Sequence, residues 1–378
     1  MKANEWLQQL LEIMVDKEAS DLLVSVNAPP TLKMAGQLIP LGDQVLSPAQ
    51  VAELVKAALP PAQRERFASE QEANFALSLP GRGRFRVSAF QQRNQPAMVL
   101  RRISFEIPRL ETLNLPATLG ELAGAKRGLV LVVGGTGTGK STTLASMIQQ
   151  RNETQGGHII SIEDPIEYVH PHKKAIINQR EVGIDTESFE VALKNTLRQA
   201  PDVILIGEIR TRETMEHALP FAETGHLCLA TLHANNANQA LDRIINFFPS
   251  ERHDQVWLDL SLNLKAIVAQ QLLPTQDRGR RAAIEIMLRS PLIGDLIRKG
   301  EVAEIKDVMR RSRDLGMQTF DQALYELYQE GVISEDIAMV HADSANDLRM
   351  MIKFGDEGGV ADAQGAASHL ELRRGDDF

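Results

Sequence analysis

The feature of the sequence that most limits the possible folds is a glycine-rich run of eight residues at 134–141. An apolar run at 129–133 precedes it, and a helix-compatible run at 142–150 follows it. Strand–loop–helix units of this kind bind nucleoside triphosphates, because glycines let successive backbone N–H groups turn toward the phosphates. A plain glycine-rich turn between a strand and a helix is the alternative. The run matches the pattern G-x-x-x-x-G-K-[ST] and reads Gly134, Gly135, Thr136, Gly137, Thr138, Gly139, Lys140, Ser141.

The residue types at the end of this run predict ATP and Mg²⁺ as ligands. Lys140 is expected to place its charge at the β- and γ-phosphates, and the Ser141 hydroxyl is expected to bind Mg²⁺. Thr142 opens the following helix and is included among the expected nucleotide-binding residues.

Two carboxylates at the ends of apolar runs are candidates for hydrolysis of the nucleotide. Glu208 follows the run 203–206 and Gly207, which resembles a Walker B strand with Glu in place of Asp. Glu163 follows the run 158–162. Ligands of open α/β sheets bind at such strand ends. We therefore expect Glu163 to activate water as general base and Glu208 to order Mg²⁺ or that water. For Glu208 taken alone, a solvated surface acid is an equally weighted alternative.

Two histidines bracket the apolar run 227–231. His226 precedes the run and His233 follows it. A metal site is not expected, because no third ligand accompanies them. Sensing of the γ-phosphate, or a link to a neighbouring subunit, is the predicted role.

The order of runs along the chain predicts an α/β fold with two main folded parts. Residues 1–104 combine helical patterns at 4–15 and 48–58 with alternating strand patterns, which indicates an N-terminal α+β domain. A proline-bounded linker at 105–120 leads to an α/β core at 121–274, where short apolar strands alternate with helices. The chain beyond Pro249 is predicted to be mostly helical, with a mainly helical C-terminal region at 275–354. Residues 355–378 are predicted to form a disordered acidic tail.

Composition excludes several other classes of protein. The 378 residues include 41 Lys and Arg against 50 Asp and Glu, and the net charge of −9 argues against a dedicated DNA-coating protein. The single cysteine, Cys228, excludes a disulfide or a four-cysteine zinc site within one chain. It also favours a reducing, cytoplasmic compartment. Neither a signal peptide nor a transmembrane segment is expected.

Four motif blocks, in this order, resemble the secretion ATPase superfamily, which includes motors of type II secretion, type IV pili and conjugation. Residues 134–141 resemble its Walker A motif, 161–167 its Asp box, and 206–210 its atypical Walker B motif. Residues 224–226 and 231–233 resemble its His box. The likeness extends over nearly the whole chain and points to the branch of twitching-motility retraction ATPases.

Within that branch the chain is most similar to the accessory paralogues of the PilT-like ATPases. Thr211 stands where PilT-like chains usually carry Asp, and Leu292-Ile293-Gly294 replaces an Ala-Ile-Arg sequence. The acidic tail is an addition to the PilT-like pattern. The change at Gly294 argues against unaided retraction of pili.

The resemblance implies a homo-hexameric ring whose chains each have a PAS-like N-terminal domain and a RecA-like P-loop ATPase domain. The nucleotide would lie between the two domains. Arg86 and Arg101 match family arginines that reach the nucleotide from the N-terminal domain. A planar guanidinium suits phosphate oxygens, and both residues lie in basic strand-like stretches. A solvated basic strand face is the alternative.

The activity implied by the resemblance is Mg²⁺-dependent ATP hydrolysis that powers or assists type IV pilus retraction. The implied partners are a PilT-like paralogue and the inner-membrane pilus platform protein, through which a cytoplasmic enzyme would reach the membrane. Direct binding of nucleic acid is not expected. Two alternatives stay open: an accessory subunit that binds nucleotide but hydrolyses little of it, and a secretion or DNA-transfer motor of the same superfamily.

Overall fold

The computed structural model describes residues 2–34, 36–103 and 106–355. The chain divides into two units, whose ranges also contain residues outside the described ones. The first comprises Met1–Ile107, Glu163–Pro171 and Gln179–Val191, and the second comprises Pro108–Ile162, His172–Asn178 and Ala192–Phe378. Within the described ranges, no helix has the length and apolar character needed to cross a membrane. Apart from Gly355, the predicted disordered tail at 355–378 lies outside the described residues.

The N-terminal part of the first unit is an antiparallel sheet with three helices. Its strand order is β3-β2-β1-β6-β5-β4. Leu22, Leu54 and Leu100 are among the apolar side chains that form its core. Its elements are α1 (Ala3–Asp16), β1 (Asp21–Val24), β2 (Thr31–Met34), β3 (Gln37–Pro40), α2 (Pro48–Ala58), α3 (Pro61–Glu70), β4 (Glu72–Leu79), β5 (Gly83–Gln92) and β6 (Gln95–Ile103).

A two-residue turn joins β5 to β6 and sets their register. Arg93 and Asn94 form it with φ of 48° and 59°, the left-handed conformation that suits the twist of a tight hairpin. In this register Arg86 of β5 lies opposite Arg101 of β6. The two arginines predicted to reach the nucleotide are therefore cross-strand neighbours.

The remaining strands form a seven-stranded sheet of order β13-β12-β7-β11-β10-β8-β9, in which β12, β7, β11, β10 and β8 run parallel. Strands β7, β10 and β11 are buried at every position, as expected for parallel strands covered on both faces. The α/β fold predicted from the sequence is thus confirmed. The elements are α4 (Thr118–Ala123), β7 (Gly128–Val133), α5 (Lys140–Thr154), β8 (Gly157–Glu163), β9 (Ala175–Glu181), α6 (Phe189–Thr196), β10 (Val203–Ile206), α7 (Arg212–Glu223), β11 (Leu227–Leu232), α8 (Ala237–Ile245), α9 (His253–Asn263), β12 (Leu264–Pro274), β13 (Arg280–Leu288), α10 (Pro291–Lys299), α11 (Ile305–Arg311), α12 (Phe320–Gln329), α13 (Glu335–His341) and α14 (Ala345–Phe354).

The prediction of a mostly helical chain beyond Pro249 is wrong for residues 264–288. These residues form the antiparallel pair β12 and β13, and β12 is also parallel to β7. Leu, Ala and Gln in this stretch are good helix formers, but pairing with a buried strand overrides that local preference. A boundary at 274 would separate β12 from β13, whereas the chain from Pro291 onward is helical as predicted. The other predicted domain boundaries remain predictions.

Candidate nucleotide-binding site

The glycine-rich loop lies between the buried strand β7 and helix α5. Gly134, Gly137 and Gly139 have φ of 154°, 79° and 90°, conformations that residues with a Cβ rarely adopt. No side chain caps the N-terminus of α5, and uncapped N–H groups at a helix start attract anions. The loop therefore has the backbone conformation that a phosphate-binding site requires.

Lys140 begins α5 and reaches back over the loop. Its Nζ donates to the backbone oxygens of Gly134 at 2.9 Å and Gly135 at 2.7 Å. The Thr138 hydroxyl also donates to the Gly135 oxygen, at 3.0 Å. The ammonium group is thus held at the loop, where it would meet a phosphate. Ser141 follows it in the first turn of the helix, with a partly buried side chain.

Gln270 of β12 supports the same loop and is not among the residues predicted from the sequence. Its side chain is buried and donates from Nε2 to the Thr138 backbone oxygen at 2.7 Å. Its Oε1 accepts from the Thr143 hydroxyl of α5 at 2.8 Å. The available signal was the pair Gln270 and Gln271 inside an otherwise apolar run at 266–273, because a buried amide is retained only where it is hydrogen-bonded.

The carboxylate of Glu208 lies between a histidine and an arginine just after β10. Its Oε2 is 2.6 Å from Arg210 Nη2, and its Oε1 is 2.9 Å from His233 Nε2. The turn that carries Glu208 is fastened to β11, because the Ile209 N–H donates to the Thr231 backbone oxygen at 2.9 Å. The alternative of a solvated surface acid does not fit, because the Glu208 side chain is only 17% exposed.

Three predicted groups follow the carboxyl ends of three neighbouring parallel strands. They are the glycine-rich loop at 134–141 (the P-loop), His233 and Glu208. These strands are β7, β11 and β10, with β11 in the middle. Parallel strands end at the same edge of a sheet, where ligands of open α/β folds bind. The structure therefore brings these sequence-predicted groups to one edge.

The structure does not bring His226 to that edge. His226 precedes β11, whose first residue lies opposite Gly128 at the start of β7. A strand of this length separates it from His233 by roughly 20 Å. Its Nδ1 instead contacts Thr224 Oγ1 at 3.1 Å and the Phe221 backbone oxygen at 3.2 Å. The prediction that His226 senses the γ-phosphate of its own chain is corrected accordingly, because the two histidines lie at opposite strand ends.

Glu163 is the last residue of β8, and Gln179 of β9 contacts it. Gln179 Nε2 donates to Glu163 Oε1 at 3.1 Å and to the Tyr168 backbone oxygen at 2.8 Å. Gln179 Oε1 accepts from the His170 N–H at 2.8 Å. One amide therefore orients the predicted general base and holds the segment that follows it. Gln179 lies in a polar stretch of sequence, so no pattern distinguished it from its neighbours.

Arg86 lines a cavity of about 250 Å³ within the first unit, together with Asp164 and Glu181. Glu181 is buried, and burial raises the pKa of its carboxyl above the usual range. The Ile166 N–H bond and the charges of Arg84 and Arg86 act in the opposite direction. The Arg86 side chain thus lies among acidic groups of its own unit.

Arg101 is the more exposed of the two predicted arginines. Its side chain is 69% exposed, and its Nε donates to Asp21 Oδ1 at 2.8 Å. Asp21 by contrast is buried, with a side chain only 8% exposed, so loss of this partner would leave a buried carboxylate less well compensated. The Arg101 guanidinium is therefore paired within its own unit.

A second cavity, of about 410 Å³, lies beside the P-loop within the second unit. Gly139, Thr142 and Gln270 line one part of it, and Asn114 and Arg280 line another. It offers polar and cationic groups next to the phosphate loop, which suits the sugar or base of a nucleotide.

The residues present also fit a magnesium ion. Mg²⁺ is usually held by one or two protein oxygens together with phosphate oxygens and water. Ser141 and Glu208 supply a hydroxyl and a carboxylate of this kind. The described residues contain no cluster of three or more His, Cys, Asp or Glu that could hold a metal by itself, so substrate phosphate would complete the site.

Two departures from the PilT-like pattern have structural explanations. Thr211 is the N-cap of α7 and accepts from the Thr214 N–H at 3.3 Å; because Asp caps equally well, this change preserves the helix start. Gly294 lies on the buried side of α10. A Cβ there would lie 3.3 Å from Arg289 Nε and 3.4 Å from the Ser261 backbone oxygen.

Comparison with known proteins gives relatives that match nearly the whole chain. The chain is 62% identical to the type IV pilus ATPase PilU of Pseudomonas aeruginosa, over 98% of this chain and 97% of that protein. It is 40% identical to the type IV pilus retraction ATPase PilT of the same organism, over 88% of this chain and 96% of that protein.

A solved structure and a family model agree with these relatives. The crystal structure of the pilus retraction motor PilT with bound ADP superposes with a TM-score of 0.85 at 40% identity, covering 90% of this chain and 98% of that one. The family model described as Type II/IV secretion system protein matches residues 65–351. The resemblance that the motif blocks predict is thereby confirmed, and the chain belongs to the type II/IV secretion system protein family.

Proposed function

We propose that the chain is an Mg²⁺-dependent ATPase that assists type IV pilus retraction. The observation that carries this proposal is the placement of Lys140, His233 and Glu208 after three neighbouring parallel strands. That edge combines a phosphate-binding loop, a point charge and an oriented carboxylate. Phosphoryl transfer needs little more than such positioning and charge stabilisation.

Each predicted residue has a role in this proposal. The P-loop N–H groups and Lys140 bind the phosphates, and Ser141 and Glu208 hold Mg²⁺, directly or through water. When bound, Mg²⁺ neutralises charge that develops on the phosphate oxygens. Glu163 accepts a proton from the attacking water, in the orientation that Gln179 imposes.

The other sequence-predicted residues act around this centre. His233 senses the γ-phosphate through its contact with Glu208. Arg86 and Arg101 supply positive charge to the γ-phosphate in the assembled ring. His226, at the far end of β11, is assigned to a contact with a neighbouring subunit rather than to the nucleotide.

The relatives support the pilus role. The 62% identity with PilU covers almost the entire chain, and the name of the PilT relative includes retraction. We propose a cytoplasmic homo-hexamer that works with a PilT-like paralogue and reaches the inner membrane through the pilus platform protein. The net charge of −9 argues against DNA as cargo.

The test is retraction in the bacterium that carries this chain. Pilus retraction events and twitching distance are measured after deletion of the gene and complementation with wild type, Lys140→Ala or Glu163→Gln, in strains with and without the PilT-like paralogue. We expect wild type alone to restore full retraction, and only where the paralogue is present. Full retraction with Lys140→Ala would contradict an ATPase role, and unchanged retraction after the deletion would contradict the pilus role.

A further inference from the structure

Gln270 is the side chain that joins the P-loop to helix α5. We propose that it is a positioning residue for nucleotide binding, whose amide holds the loop in its phosphate-binding conformation before the nucleotide arrives. This inference rests on the proposed function in one respect: that residues 134–141 bind a nucleotide.

The peptide between Thr138 and Gly139 contacts Gln270 through its carbonyl. Gln270 Nε2 donates to the Thr138 carbonyl at 2.7 Å. In a trans peptide the carbonyl and the following N–H point in opposite directions. A Thr138 carbonyl held toward Gln270 therefore turns the Gly139 N–H away from Gln270, to the opposite side of the loop. Gly139 immediately precedes α5, so this N–H joins those of the helix start that attract anions.

The orientation of the Gln270 amide follows from its two hydrogen-bond partners. A backbone carbonyl only accepts hydrogen bonds, so the Gln270 nitrogen rather than its oxygen must face Thr138. The Thr143 hydroxyl then donates to Gln270 Oε1 at 2.8 Å. Loop, amide and helix are thus joined in one chain of hydrogen bonds with a single consistent direction.

The loop also packs closely against Gln270. A Cβ on Gly139 would lie 2.8 Å from Gln270 Nε2, and one on Gly134 would lie 2.5 Å from the Gln270 backbone oxygen. Gln270 is also only 3% exposed. The loop therefore packs directly on this residue, and two of its glycines leave the room that Gln270 needs.

The loss of the amide has a specific consequence. A methionine at 270 has similar length but no donor, so the partly buried Thr138 carbonyl would lose its partner, which is unfavourable. The peptide can relieve this by rotating, and the Gly139 N–H then leaves its phosphate-binding direction. The strand β12 keeps its pairing with β7 and β13, so we expect the fold to survive.

The test compares Gln270→Met with Gln271→Met in the full chain. Gln271 is the next residue on β12, and its Oε1 contacts His341 Nδ1 at 3.0 Å instead of the loop. Calorimetry measures the Kd for Mg-ADP, and the Tm is measured without nucleotide. We expect Gln270→Met to raise the Kd by about tenfold, which corresponds to the free energy that one hydrogen bond contributes. We expect Gln271→Met to leave the Kd near the wild-type value, and both variants to have similar Tm.

Three further measurements sharpen the test. Gln270→Glu keeps an acceptor for Thr143 but loses the donor to Thr138, so we expect it to bind Mg-ADP as weakly as Gln270→Met. A correctly positioned loop stabilises the bound substrate and the transition state equally. We therefore expect Gln270→Met to raise the KM for ATP and to leave kcat close to the wild-type value. If Gln270→Met does not fold, Thr143→Val removes only the hydroxyl that orients the amide, and we expect a several-fold higher Kd.

The inference is overturned if Gln270→Met and Gln271→Met bind Mg-ADP equally well, or if Gln270→Glu binds like wild type. A loss of kcat without a change in KM, or an unchanged Kd for Thr143→Val, would also overturn it. Failure of the wild-type chain to bind Mg-ADP would instead contradict the proposed function. The two failures are therefore distinguishable.

Discussion

His233 Nε2 lies 2.9 Å from Glu208 Oε1, so that the group following β11 contacts the group following β10. Arg210 binds the other oxygen of the same carboxylate. The direction of the Glu208 carboxylate therefore depends on both neighbours. A displacement of His233 would move or release the group proposed to order Mg²⁺ or water.

The two histidines are predicted to respond differently to the same substitution. His233→Gln removes the imidazole that orients Glu208, and we expect phosphate release to fall by about ten- to a hundredfold, as for other residues that support a metal-binding group. His226→Gln, at the far end of β11, removes no contact of Glu208, and we expect a clearly smaller loss of phosphate release from this variant. Equal losses in the two variants would contradict the assignment of His233 to the nucleotide edge.

Gln179→Leu tests whether Gln179 orients Glu163. The variant loses the 3.1 Å bond to Glu163 Oε1, and small misplacements of a catalytic group cost up to about a hundredfold in rate. We expect kcat for ATP to fall by about tenfold or more, while the Kd for Mg-ADP stays at the wild-type value. Weakened ADP binding with normal kcat would show that Gln179 does not act through Glu163.

Gly294→Arg restores the residue type of the PilT-like pattern but meets Arg289. Arg289 Nε donates to the Ser261 backbone oxygen at 2.9 Å, and a Cβ at position 294 would lie 3.3 Å from that nitrogen. We expect the free energy of unfolding to fall by about 1–3 kcal/mol, as for other overpacked sites. Urea denaturation measures this loss, and we expect Arg289→Ala to reduce it when combined with Gly294→Arg. If the losses in the free energy of unfolding simply add in the double variant, this prediction is contradicted.

His170 is predicted to make the chain sensitive to acid. Burial lowers the pKa of its imidazole from 6.5 to about 4, and its Nδ1 has no hydrogen-bond partner among the described residues. The unfolded chain therefore takes up a proton before the folded chain does. The stability linked to this group is present above pH 6.5 and is lost as the pH falls toward 4, by up to about 3 kcal/mol.

Urea denaturation at several pH values between 7 and 4.5 tests this prediction. We expect wild type to lose more of its free energy of unfolding over this range than His170→Leu, which cannot titrate. Parallel losses in both proteins would contradict it.

Local patterns predicted the elements whose environment follows from their own residues. The fully apolar runs became β7, β10 and β11, and the helix expected at 48–58 begins and ends where predicted, with Ser47 as its N-cap. The P-loop could be located because its chemistry depends on contiguous residues. Glu208 and His233 could each be predicted because they follow an apolar run in the sequence. Their contact depends on the order of strands in the sheet, which the runs do not reveal.

The features that were missed depend on residues far apart in the sequence. β12 contains good helix formers and becomes a strand because it pairs with β7, more than a hundred residues earlier. Gln270 matters because that pairing brings it to Thr138. His226 was grouped with His233 because both flank one strand, but a strand of six residues places its flanks at opposite edges of the sheet.

Phosphate release by the purified chain with Mg-ATP, beside Lys140→Ala and Glu163→Gln, tests the central proposal most directly. Lys140 supplies the charge held at the loop, and Glu163 supplies the proposed base, so both variants should lose at least about a hundredfold in rate. We predict steady turnover by the wild-type chain alone, or above the paralogue's own rate where the PilT-like paralogue is added, and almost none above the same background by either variant. Turnover by Lys140→Ala at the wild-type rate would contradict the assignment of residues 134–141 as the nucleotide site.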